Sequence, residues 1–232
     1  MSVVLWHDLE CGSYAEDLAL WRELARSAGG PILDVGAGTG RVSIALAREG
    51  HEVVALDLEP VLLAALRERA GTLPVETVAA DARAFDLGRR FALVLAPMQT
   101  VQLLDGRHDD LVACVARHLA PGGVFAAALA NPPEYEGEVR PLPDMREDDG
   151  WLWSSQPVAV RRAPTGMLIE RTRETVSPAG ERTVEADEIL LTSVLPEDLE
   201  AAGERHGLRV LPRREVRETD DYVGSEVVML GA

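Results

Sequence analysis

The run Ile32-Leu33-Asp34-Val35-Gly36-Ala37-Gly38-Thr39-Gly40 constrains this chain more than any other segment. A short apolar stretch carrying one acid leads into three glycines within five positions, and a helical pattern follows. Glycines packed this closely weaken any regular element, so the turn is kept for what a missing Cβ permits: positive φ and close backbone approach to a ligand. The spacing narrows the ligand. A dinucleotide turn of the form G-x-G-x-x-G would place its third glycine at position 41. Arg41 stands there, and the glycine falls one place early, at Gly40. The run is therefore D-x-G-x-G-x-G.

Short apolar runs alternate with helical patterns through residue 130. Val53–Asp57, Val75–Ala79, Phe91–Ala96 and Val124–Ala130 follow the first strand. Helical spacing appears over Arg41–Glu49, from Pro60 to Ala70, and near Asp109–Leu119. Near-continuous apolar strands are expected where both faces of a sheet are covered. A final helix over Pro196–His206 and a hairpin of Leu208–Val216 with Tyr222–Leu230 complete the pattern. The prediction is an α/β fold: a doubly wound, mostly parallel, seven-stranded Rossmann-like sheet.

The remaining segments elaborate this core. Ser13 and Glu16 have capping-box spacing, which predicts a helix opening at Ser13 within an N-terminal helical cap over residues 1–30. Residues 131–150 are rich in Pro, Glu and Asp and are expected to be a loop. Between 150 and 192 the helical period disappears, and Val158–Val160, Met167–Val176 and Thr183–Leu191 have strand character. Ser177-Pro178-Ala179-Gly180 supplies a hairpin turn. The expectation is one domain over 1–232, with a core at 31–130, an inserted antiparallel β meander at 150–192 and the closing elements at 196–232.

The formal charge of −16 disfavours nucleic acid as a partner, because such binding rests on neutralising phosphates with Lys and Arg. Cys11 and Cys114 form no C-x-x-C pair, and the five histidines are scattered, so no metal site is expected. No secretory pattern opens the chain, and no apolar run nears the ~18 residues of a membrane span. A cytoplasmic protein, monomeric or homodimeric, without a membrane partner, is the expectation.

The glycine run, Asp57 closing the second strand, Asp81-Ala82 after the third and Leu119-Ala120-Pro121-Gly122-Gly123 before the fifth together resemble the class I S-adenosylmethionine (SAM)-dependent methyltransferases. The N-terminal helix and late meander are similar to their small-molecule N-methyltransferase branch. The resemblance implies SAM as methyl donor and S-adenosylhomocysteine as product. It implies that Asp57 receives the ribose diol, with Leu58 beside it, and that Asp34 receives the ammonium of the amino-acid tail. Gly36, Ala37, Gly38 and Gly40 would give close approach, and Asp81-Ala82 would read the adenine amine. Ala96 and Met98 would border the cofactor, and Tyr14, with Trp6 second, would be the aromatic residue packed near it.

The implied methyl acceptor is a small molecule bound through its nitrogen or oxygen. Gln99, Asn131, Tyr135 and Trp151 are candidate acceptor contacts, and His7 is a candidate base. Trp151 and Trp153, two apart, would share one strand face. Asn131-Pro132-Pro133-Glu134-Tyr135 resembles the N-P-P-Y signature of base and glutamine methyltransferases, but it follows the fifth strand instead of the fourth and a glutamate interrupts it. Two alternatives accompany this reading: a non-catalytic SAM-binding regulatory module, and an NAD(P)-dependent oxidoreductase, against which Arg41 and the late antiparallel strands both count.

Overall fold

The computed structural model describes residues 2–130, 136–139, 141–219 and 222–232. In chain order its elements are α1 (Ser2–Cys11), α2 (Leu18–Ala28), β1 (Ile32–Val35), α3 (Arg41–Ala47), β2 (Val53–Asp57), α4 (Pro60–Ala70), β3 (Val75–Ala79) and β4 (Phe91–Ala96). A short 3-10 turn at Thr100–Leu103 precedes α5 (His108–His118), β5 (Leu119–Ala130), β6 (Gly137–Glu138), β7 (Asp144–Asp148) and β8 (Trp151–Ala163). The chain continues through β9 (Gly166–Val176), β10 (Arg182–Thr192), α6 (Pro196–Arg205), β11 (Arg209–Val216) and β12 (Ser225–Gly231). These elements form two compact units: α1 with β6 to β10, and all the others.

The larger unit is built on a seven-stranded sheet in the order β11-β12-β5-β4-β1-β2-β3. Its pairs from β3 across to β5 are parallel, and β12 and β11 close one side antiparallel. Strand alternation explains the two-sided core. Leu33, Val35, Val94 and Ala96 join α5 residues Leu111 and Val115 and α6 residue Leu199 in one cluster. Their neighbours Ile32, Leu93 and Leu95 join Trp21 and Ala25 of α2 and Val42 and Leu46 of α3 in another. Every second residue of β1 and β4 therefore faces a different helical layer, which is why these strands are apolar throughout. Asp34 lies on the side that faces α3.

Two expectations about local structure are corrected. α2 opens at Leu18, not at Ser13, and Asp17 is its N-cap. The Asp17 carboxylate makes no capping bond, because Arg41 takes it: Nη1 and Nη2 donate to its two oxygens at 2.5 and 2.7 Å. The described residues between 136 and 150 are also not simply a loop, since β6 and β7 both pair with β8. β7 joins β8 through Asp149-Gly150, with φ of 49° and 75°, a two-residue hairpin turn in which both residues take positive φ. That dipeptide was the available signal.

The smaller unit is a five-stranded antiparallel sheet, β10-β9-β8-β6 with β7 also on β8, and α1 packs on β7 and β8. β8, β9 and β10 form the meander expected between 150 and 192, with the Ser177–Gly180 turn joining β9 and β10 as expected. The expected 1–30 cap divides: α1 belongs to the smaller unit and α2 to the larger.

Gln102 secures the far end of β5. Its Oε1 accepts from the Ala130 N–H at 2.9 Å and its Nε2 donates to the Ala130 carbonyl at 3.3 Å, with Gln102 only 7% exposed. Gln102→Ala leaves both backbone groups without these partners. A loss of about 1–3 kcal/mol in urea unfolding is expected; an unchanged midpoint would show that neither bond matters.

Candidate functional site

The glycine turn is held by its neighbours. Gly36, Gly38 and Gly40 have φ of 73°, 55° and 95°, a region L-residues rarely adopt. The Gly36 and Ala37 N–H groups donate to the Leu56 carbonyl at 2.8 and 3.0 Å, and the Gly40 N–H donates to the Ala37 carbonyl at 2.9 Å. The Gly38 N–H donates to Asp57 Oδ2 at 2.7 Å. These four donors are thus used within the protein, so the turn's glycines serve close internal packing as well as any ligand. A Cβ on Gly36 would lie 2.7 Å from Thr100 Oγ1, and one on Gly40 would lie 2.6 Å from Leu66 Cγ.

Asp57 ends β2 beside this turn. One carboxylate oxygen takes the Gly38 N–H and the other takes the Glu59 N–H at 2.9 Å. Each oxygen keeps lone-pair capacity for a further donor. Leu58, next in the chain, is 59% exposed, an apolar surface at the same strand end.

Asp34 is the least ordinary group in the unit. It is 1% exposed, and the Ser43 hydroxyl donates to its Oδ2 at 2.6 Å, while its Oδ1 has no partner. Burial pushes its carboxyl up to about 6, against the opposing effects of the Ser43 bond and of Arg41, and Asp57 adds to the rise. A buried acid with one open oxygen fits a cation.

Tyr14 is buried, packs edge-on against Tyr222 with centroids 4.9 Å apart, and lies under the Arg41 guanidinium at 5.1 Å. Burial raises its phenol to about 12, and Asp17 adds to the rise, so it stays protonated. Arg41 also donates to the Tyr14 carbonyl at 2.9 Å. The position that would be the third glycine of a dinucleotide turn instead ties Tyr14 and Asp17 to the start of α3.

Asp81 is engaged by Arg83, whose Nε donates at 2.9 Å and Nη2 at 2.8 Å to its two oxygens. That pairing holds its carboxyl down to about 2. Ala82 packs on the core, Ala96 is buried at the end of β4, and Met98 takes a φ of 54° two residues on, just before Gln99. Strained backbone of this kind concentrates at functional loops.

The structure therefore brings Asp34, the Gly36–Gly40 turn, Asp57, Leu58, Asp81, Ala82, Ala96, Met98 and Gln99 to the C-terminal ends of four adjacent parallel strands, where open α/β sheets bind ligands. His7 and Trp151 belong to the smaller unit, and Asn131 and Tyr135 lie outside the described residues. Ser43 and the Asp17–Arg41 pair were missed; Ser43 lies nine residues from Asp34 on a different element, and no motif marks it. Among the described residues no group of His, Cys, Asp and Glu is arranged to hold a metal, and no helix is long and apolar enough to cross a membrane.

Comparison with known proteins agrees with this geometry. Residues 32–123, from β1 into β5, match a family described as a methyltransferase domain. The cypemycin N-terminal methyltransferase of a Streptomyces species is 34% identical over 110 residues, which is 47% of this chain and 45% of that protein. The ribosomal protein L11 methyltransferase of Symbiobacterium thermophilum is 32% identical over 140 residues, 57% of this chain and 45% of that protein. The matches thus span less than half the length of both relatives. The SAM-bound structure of CalS10, an amino pentose methyltransferase from Micromonospora echinaspora, superposes with a TM-score of 0.77 at 25% identity over 99% of this chain and 96% of that one. The chain has the class I methyltransferase fold and resembles its small-molecule N-methyltransferase branch.

The raised carboxyl of Asp34 fixes a sign. A folded-state value near 6 against an ordinary 3.8 means that the folded chain holds this proton more tightly than the unfolded chain. Its contribution is fully present below about 3.8 and lost as pH rises through about 6. Asp34→Asn removes the ionisation. The ligand-free protein should gain up to about 3 kcal/mol at pH 8 and little at pH 4. Thermal melts of both proteins at the two pH values check this; equal gains would refute the burial argument.

Proposed function

We propose that this chain transfers a methyl group from SAM to an amine nitrogen of a small molecule, releasing S-adenosylhomocysteine. The observation that carries the reading is the buried Asp34 carboxylate with its unpartnered Oδ1, two residues before the glycine turn and one strand from Asp57. Few ligands offer both an ammonium for the first acid and a vicinal diol for the second. SAM offers both, together with an adenine for the exposed apolar face of Leu58.

In this reading Asp34 receives the ammonium, and Asp57, already fixed by the Gly38 and Glu59 N–H groups, receives the ribose hydroxyls. Tyr14, Ala82, Ala96 and Met98 border the cofactor, and the lone pairs of Asp81 left by Arg83 serve the adenine amine. When bound, SAM supplies a methyl carbon on a sulfonium that is already a good leaving group. The chain then has to orient the acceptor nitrogen at near-attack distance and exclude water. Gln99 is the acceptor contact proposed in the larger unit. A base is needed only for an acceptor that arrives protonated. CalS10 and the cypemycin enzyme, by their descriptions, act on an amino pentose and on an N-terminus, which supports nitrogen over oxygen as the acceptor atom.

The test is methyl transfer from labelled SAM to a panel of amino sugars and small amines, with phenols as the oxygen control. Label in an amine product supports the reading, and label in the phenols alone overturns the choice of nitrogen. Asp57→Ala should weaken SAM binding by at least about a hundredfold, the loss of two charge-assisted hydrogen bonds. Calorimetric affinity equal to wild type would remove Asp57 from the site.

A further inference from the structure

Arg83 takes up almost all of the hydrogen-bonding capacity of Asp81. The loop after β3 is fastened at its start by the Ala80 N–H, which donates to the Asp57 carbonyl at 3.0 Å. It then turns sharply: the Ala84 N–H donates to the Asp81 carbonyl at 3.0 Å, and the Arg83 N–H donates to Asp81 Oδ1 at 2.8 Å. Aspartate favours such a turn because its short side chain reaches the backbone two residues on. The turn brings the Arg83 guanidinium back onto the carboxylate. Nε donates to Oδ1 at 2.9 Å and to Oδ2 at 3.1 Å, and Nη2 donates to Oδ2 at 2.8 Å.

A carboxylate offers about four acceptor directions, divided between its oxygens. On Oδ1 both are used, by the Arg83 N–H and Nε–H. On Oδ2 the Nη2–H takes one, and one is left. A planar guanidinium fork fixes a carboxylate in a way that a single ammonium cannot, so Asp81 does not swing to suit whatever donor arrives. The far side of Arg83 is held as well: Nη1 donates to Asp105 Oδ2 at 3.3 Å, in the loop after β4. Phe85, buried in the core, anchors the loop two residues further on. The Asp81 side chain is 34% exposed, so a ligand can reach it. Its carboxyl, held down to about 2 by the Arg83 bonds, is ionised above that pH and has no proton to donate.

We propose that Arg83 is a positioning residue that makes the site selective for a 6-aminopurine over a 6-oxopurine, by holding Asp81 with a single acceptor free. The proposal rests on the reading of Asp81 as the adenine contact. An adenine base brings an N–H donor at its 6-position, which the remaining Oδ2 lone pair can accept. A hypoxanthine base brings a carbonyl oxygen there, and two acceptors facing one another repel. A loosely held aspartate could turn away from that oxygen or find another donor on the ring; one clamped by Arg83 cannot. Selectivity is therefore assigned to the arginine as much as to the acid.

The test is calorimetric titration of the full chain with S-adenosylhomocysteine and with S-inosylhomocysteine, which differs in carrying the 6-oxo base. Wild type should bind the adenosyl ligand at least about tenfold more tightly. Arg83→Gln removes both the fork and the charge; Arg83→Lys keeps the charge and removes the fork. In both variants the preference should fall to about threefold or less. The acids that Arg83 pairs with are 34% and 77% exposed, so both variants should fold, with thermal midpoints close to wild type. The ratio separates positioning from a structural role, since a loop that is merely weakened loses affinity for both ligands alike. A ratio kept by Arg83→Lys and lost by Arg83→Gln would assign the effect to charge and overturn the clamp. An unchanged ratio in both variants, or loss of both ligands by variants that are folded, would overturn it too. Binding of S-adenosylhomocysteine by wild type without selectivity overturns this proposal alone, whereas silence from both ligands overturns the cofactor reading and this proposal with it.

Discussion

The close approach of β1, β2 and the loop after β4 around the glycine turn is the constraint on which the site depends. Any Cβ at Gly36 would press on Thr100, and any at Gly40 on Leu66, so the loop after β4 and helix α4 can close on the turn only while both residues stay glycine. That closeness lets the Leu56 carbonyl accept two N–H groups and lets Asp57 reach the Gly38 N–H. The turn therefore positions Asp57 from behind, and a ligand would meet a carboxylate whose orientation is already set.

Asp34 shows how such positioning trades against stability. A strand acid facing a helical layer would ordinarily be neutralised by a full set of partners. Here Ser43 satisfies one oxygen, Arg41 attracts from a distance while tied to Asp17 and Tyr14, and Oδ1 is left open. The ligand-free fold tolerates an acid that is easier to protonate than an ordinary carboxyl. A cation arriving at Oδ1 would lower the pH at which it titrates, which couples binding to release of the proton at and below about pH 6. Acidity at this strand end is thus a stored binding potential of the kind often concentrated at functional sites.

Much of this was legible in the sequence because its causes are local. Strand ends at Asp57, Ala79 and Ala96 follow from apolar runs stopped by an acid, a turn or Pro97, and the structure places them where the pattern does. Two-sided burial was visible as unbroken apolar strands. The parts that escaped depend on distant partners. α1 lacks a cap or a clear apolar stripe, and its Glu10 finds Ser155 and Arg173 at separations of 145 and 163 residues. The start of α2 was misplaced because the Ser13–Glu16 spacing looks like a capping box, whereas Asp17 is drawn to Arg41, 24 residues on. The glycines were read as making room for a ligand; their N–H groups also bond to β2 and to the turn itself, a use that becomes visible only once the strands are paired.

The central claim is that the strand ends around Asp34 and Asp57 hold an S-adenosyl ligand. Isothermal titration of the purified chain with S-adenosylhomocysteine, and in parallel with NADH and NADPH, tests it most directly. The account predicts saturable one-to-one binding of S-adenosylhomocysteine and none of either nicotinamide. Binding of a nicotinamide, or silence from all three, would contradict it.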